Sequence, residues 1–137
     1  MQNQYLLLAE NITYKNNKLS CINIIDQLMT IKLPSEFQFD LVAICGPGWN
    51  EGDYNVSIRV QLDEGEVSEL GQTQVKIPNE GFTYNALASD LKVMIPENSK
   101  SMKFYVYRND ELMIERKYQI ASLFIPQEPE KQQEVNA

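Results

Sequence analysis

The run from Tyr54 to Leu62 sets the strongest limit on what this chain can become. Tyr54, Val56, Ile58, Val60 and Leu62 alternate with Asn55, Ser57, Arg59, Gln61 and, just beyond, Asp63. A period of two puts the first set on one face of an extended strand and the second on the other, whereas a helix would scatter both sets around its axis. The segment therefore reads as a β-strand with one buried face, and a strand of this kind needs further strands and a second layer to cover it.

The rest of the chain supplies them. Residues 5–14, 19–31 and 37–45 are rich in aliphatic and aromatic side chains and are separated by the turn-forming runs NNK and LPSE, so they read as the first strands. Ile24 and Ile25 stand side by side in the second of these and interrupt its alternation, which predicts a bulge or a crossing between sheets there. After the alternating strand, DEGEVSELGQ reads as a polar connection, followed by a short edge strand at 73–77. Residues 82–90 fit either a helical turn or a strand, and 91–95 read as a strand ending at Pro96. The last two strands, 102–108 and 112–124, are joined by Asn109 and Asp110, which tolerate the left-handed backbone of a tight hairpin. A two-residue turn would pair Tyr107 with Leu112 and Tyr105 with Ile114, and a three-residue turn would pair Val106 with Ile114 and Phe104 with Arg116.

Seven to nine strands at short intervals, with no long amphipathic helical stretch, predict an all-β fold: an immunoglobulin-like antiparallel β-sandwich. At 137 residues the chain has the size of one domain. We place that domain at 1–125. The remainder, 126–137, holds one aliphatic residue amid charge and amide, and reads as a disordered acidic tail.

Most chemistries are argued against by what the sequence lacks. There is no histidine, which removes the commonest general base and the usual activator of serine or cysteine nucleophiles. None of the six glycines builds a phosphate-binding loop. Cys21 and Cys45, without a CxxC or a histidine beside them, read as buried thiols in a reducing compartment, so neither a metal nor another cofactor is expected. Asp63, Glu64, Glu66 and Glu69 cluster in one connection, too locally to flank a glycosidic bond, although a carboxylate-dependent hydrolase of carbohydrate is the competing enzyme reading. A weak calcium loop there would lack the alternating carboxylates of a dedicated one.

A net charge of −7 with scattered basic residues repels phosphate backbones and anionic lipid, so neither nucleic acid nor membrane is an expected partner. The opening MQNQYLLLAE has no basic region or cleavage site, and the expected location is the cytoplasm. Two features point instead to protein contact. Trp49 lies in the loop CGPGWNEGDY, where it either offers an exposed interface anchor or folds back as a plug with its N–H on a loop carbonyl. In the final hairpin Tyr105 and Tyr107 alternate with Phe104 and Val106, so both faces of that strand are apolar or amphipathic and the outward one suits a partner protein or a homodimer. A purely structural assembly subunit is a third possibility.

The segments LLLAENITYKNNKLSCINIID, GDYNVSIRVQLDEGE and FYVYRNDELM resemble the opening, middle strand and final hairpin of a family of small uncharacterised bacterial proteins. The resemblance implies a β-sandwich and carries over no catalytic residue. Asn109-Asp110 stands where a glycine is commoner in that family's hairpin.

Overall fold

The computed structural model describes residues 4–16, 18–30 and 33–122. Nine strands form two sheets: β1 (Tyr5–Lys15), β2 (Lys18–Ile25), β3 (Leu28–Thr30), β4 (Ser35–Ile44), β5 (Gly52–Leu62), β6 (Val67–Ile77), β7 (Asn85–Ile95), β8 (Ser101–Arg108) and β9 (Glu111–Ser122). One sheet runs β2-β1-β4-β7 and the other β3-β9-β8-β5-β6. No helix occurs among the described residues, so none there is long and apolar enough to cross a membrane. The expected domain end near residue 125 and the tail at 126–137 lie outside the described residues.

The alternating strand is β5, flanked by β6 and β8. Its Val56, Ile58 and Val60 face inward and are buried with Met102, Phe104 and Val106 of β8. From the opposite sheet come Leu6, Leu8, Phe39, Leu41 and Ala43, all within the same core. Phe39 of β4 meets Phe104 of β8 edge to face at 5.6 Å, and Phe104 meets Tyr118 of β9 in the same way at 5.8 Å. These rings join the two sheets across the layer, in the geometry their quadrupoles favour.

The segment 19–31 is two strands and not one. β2 pairs with β1, whereas β3 joins the other sheet and runs parallel to β9. The crossing follows directly on the Ile24-Ile25 pair that breaks the alternation: Ile25 turns into the core while Ile24 stays exposed. β6 begins at Val67, six residues before the expected start, because an edge strand with one solvated face accepts the polar residues that read as a connection. Residues 85–90 belong to β7 and form no helical turn; the irregularity in that segment is a bulge, with Asp90 in the left-handed region at φ 56°.

Asp40 secures that bulge. Its buried carboxylate accepts the Asp90 N–H at 2.9 Å and, on its other oxygen, the Ile12 N–H at 2.8 Å. One side chain thus satisfies backbone donors on β1 and β7, the two neighbours of its own strand. Its removal leaves the buried Ile12 N–H without a partner and takes the acceptor from the part-buried Asp90 N–H. Asp40→Ala is expected to lower the unfolding free energy by about 2–4 kcal/mol in a urea titration, with Asp40→Asn intermediate because its amide keeps one acceptor oxygen.

Candidate partner-binding surface

The hairpin combines both registers that its sequence allows. Arg108 pairs with Glu111 and Tyr107 with Leu112 around the two-residue turn, where Asn109 takes φ 55°. A bulge then shifts the ladder, so that Val106 pairs with Ile114, Tyr105 with Glu115 and Phe104 with Arg116. Since side chains alternate across the sheet, Phe104 and Val106 enter the core while Tyr105 and Tyr107 face outward.

On β5, Ser57 lies opposite Tyr107 and Arg59 opposite Tyr105. The two tyrosine rings are 6.5 Å apart, and the Arg59 guanidinium sits 4.2 Å from the centre of the Tyr107 ring. The Tyr105 hydroxyl donates to Oε1 of Gln61 at 2.7 Å. Beside them Leu112 is 45% exposed, and Lys103 meets Glu115 at 3.6 Å. The result is a level strip of Leu112, Tyr107 and Tyr105, half-buried along its length. Neighbours hold the rings in place, so a contact made here orders few further side chains. The ion pair itself contributes only about 0–1 kcal/mol because it is solvated.

Trp49 lies elsewhere and inside. It is 1% exposed, packed against Tyr54 at 5.0 Å and Tyr84 at 5.2 Å, with the Arg108 guanidinium 4.9 Å from its ring. Its backbone N–H donates to the Phe82 carbonyl at 3.3 Å, and its carbonyl accepts the Gly81 N–H at 2.9 Å. Gly46 and Gly48, at φ 80° and 95°, turn the loop back over the end of the sandwich. This corrects the reading of Trp49 as an exposed anchor, since burying the largest apolar surface in the loop outweighs displaying it. The plug differs from expectation in one respect: the indole N–H has no hydrogen-bond partner. Trp49 and Leu112 border one cavity of about 270 Å³, but Trp49 is buried and adds nothing to the exposed strip.

No protein-family profile matches this chain, and no curated protein matches it.

The acidic connection is partly structural. Oδ1 of Asp63 accepts the N–H groups of Lys100 at 2.9 Å and Ser101 at 3.1 Å, which fixes the end of β5 to the start of β8. Glu64, Glu66 and Glu69 are exposed around it. No group of three metal-ligating acidic or thiol side chains occurs among the described residues. Both cysteines are free. Arg59, Gln61 and Leu112 join the surface although the sequence reading did not single them out. Arg59 and Gln61 occupy polar positions of the alternation, but only the β5–β8 pairing shows that they flank the tyrosines.

Burial raises the Cys45 thiol to about 11 from an ordinary 9.0, against the opposing pull of Arg108 and a backbone hydrogen bond. Burial likewise raises the Tyr84 and Tyr118 hydroxyls. Each therefore keeps its proton longer in the folded chain than in the unfolded one. For Cys45 the stabilisation is complete below pH 9 and is lost as pH rises to about 11. In a disulfide-exchange titration of the folded protein at pH 8, half-buried Cys21 should react and Cys45 should not until denaturant is added. Immediate reaction of both would contradict this placement, as would stability that rises between pH 9 and pH 11.

Proposed function

We propose that this chain is a non-catalytic binding module, an immunoglobulin-like sandwich that contacts another protein or a second copy of itself through Tyr105 and Tyr107. The observation that carries the reading is the outward strip of Tyr105, Tyr107 and Leu112, with Arg59 stacked on Tyr107. Tyrosine and arginine supply large contact area with polar tips, and are the side chains that dominate protein interfaces. Such a strip on the broad outer face of a sheet suits a partner of similar flatness better than a small molecule, which favours a concave site.

Several features support the rest of the reading. Passage of the chain from one sheet to the other between β2 and β3, with β3 parallel to β9, supports an immunoglobulin-like arrangement. The three groups with shifted pKa values, Cys45, Tyr84 and Tyr118, all move toward their protonated and less nucleophilic forms, which supports a role without catalysis. The acidic balance of −7 supports a protein that avoids nucleic acid and anionic membranes, and a cytoplasmic location is part of the same proposal. Kinship with the small uncharacterised bacterial β-sandwich proteins is part of the same proposal.

Light scattering across a concentration series tests the self-association form of this reading. We expect the natural chain to rise from 15.8 kDa toward twice that mass, and the double variant Tyr105→Ser, Tyr107→Ser to stay monomeric with its far-ultraviolet spectrum unchanged. A mass independent of concentration in the natural chain would refute self-association and leave a different protein as the partner.

A further inference from the structure

β6 and β7 end their respective sheets, and they border the same side of the sandwich. Leu70, Val75 and Ile77 of β6 pack on the core, but three further positions facing the core of β5 carry small side chains. Thr73 pairs with Val56, Gly71 with Ile58 and Ser68 with Val60, all three partners being core residues. Across the gap, β7 turns Ala86 and Ala88 inward, opposite the core residues Ala43 and Leu41. Between these short side chains and their larger neighbours Tyr84, Leu87, Leu70 and Met94, two cavities open between the sheets along this side. One of about 170 Å³ lies among Val56, Ile58, Gly71, Thr73, Ala86 and Ala88. The other, of about 370 Å³, is bounded by Val60, Leu62, Leu70, Val93 and Met94, with Glu66 and Lys92 at its mouth.

Gly71 is the telling residue. Glycine within a strand costs roughly 0.5–1 kcal/mol relative to alanine, and is usually retained for a left-handed backbone or for close packing. Gly71 has neither reason, because its φ is not positive and a Cβ built on it would meet nothing within 4 Å. A bulge adjoins it at Leu70, yet on its C-terminal side the ladder from Gly71 to Ile77 is regular. Among the described residues no strand neighbours the outer backbone edge of that stretch, and from Gly71 to Val75 it carries no charge. Lysine and proline, which blunt an edge against another chain, come only at Lys76 and Pro78, beyond this uncharged run.

We infer that this side of the sandwich binds an extended segment of a partner protein, laid antiparallel to β6 with every second side chain inserted between the sheets. Backbone pairing to β6 supplies affinity, and the two cavities select alternate side chains. The cavity floors, at Val56–Ile58 and Val60–Leu62, are four residues apart, or about 13 Å along a strand. That is the spacing of two same-face side chains four residues apart in the segment. Those side chains are aliphatic, to match the apolar floors. The end of the segment beside Glu64, Glu66 and Glu69, which are exposed, is basic. This surface is separate from the tyrosine strip, and the inference does not rest on it.

The test is a nuclear magnetic resonance titration of the full chain with a short synthetic peptide of alternating valine and threonine that ends in two lysines. The control peptide has proline at its centre. We expect saturable shifts at Gln72, Gln74, Ala86 and Ala88, weakened by salt and absent with the proline control. Gly71→Val, which fills the smaller cavity, should fold with an unchanged or higher unfolding midpoint and bind at least tenfold more weakly. Ala88→Leu fills the same space from the opposite wall and should behave alike. Absence of saturable shifts would overturn the proposal, as would equal binding of the proline peptide or undiminished binding by a variant that folds. Failure of both variants to fold would show the space to be occupied by the protein's own packing, and would overturn it too.

Discussion

Closure of two sheets over the Phe39, Phe104 and Tyr118 contact governs the rest of this molecule. Each sheet has an apolar inner face that is unstable in water by itself, and the rings are where the two faces meet. Truncating Phe104 would leave a void in the middle of the layer, a loss of about 3–5 kcal/mol in cores of this kind. Once Phe104 points inward, alternation leaves no freedom to its neighbours. Tyr105 must face outward, as must Tyr107. The surface proposed for partner contact is therefore a consequence of the core.

The ends and sides of the sandwich are closed by different means. At one end Trp49 fills the opening, with Tyr54, Tyr84 and Arg108 around it. At the flank of the four-stranded sheet, Asp40 fastens β1 and β7 through their backbone donors. Along the β6–β7 side the small residues Gly71, Thr73, Ala86 and Ala88 face each other, and cavities remain there between larger neighbours. The contrast between a plugged end and an open side is what gives Gly71 its significance.

Much of this was legible in the amino-acid order. The alternation of residues 54–62 locates β5, and Asn109-Asp110 locates the final hairpin, because both signals act over a few residues. The break at Ile24-Ile25 marks the crossing between sheets for the same reason. The beginning of β6 was hidden, since an edge strand needs little apolar surface and its polar residues resemble a loop. The hairpin register was open because a bulge satisfies both pairings in succession. Trp49 could not be placed from a loop sequence alone: whether an indole turns inward depends on the distant Phe82 and Tyr84, which only the fold brings near it. Arg59 and Gln61 were readable as solvent-facing, but their place beside the tyrosines follows from strand order.

In the proposed arrangement the outward tyrosines make contact with a partner and the tryptophan does not. Hydroxyl-radical labelling of the natural chain at low and high concentration, read residue by residue, tests this most directly. Labelling of Tyr105, Tyr107 and Leu112 is expected in dilute solution, with its selective loss on concentration and a Trp49 that stays unlabelled throughout. Labelling of Trp49 in the folded protein, or protection on concentration that falls elsewhere and spares the tyrosines, would contradict it.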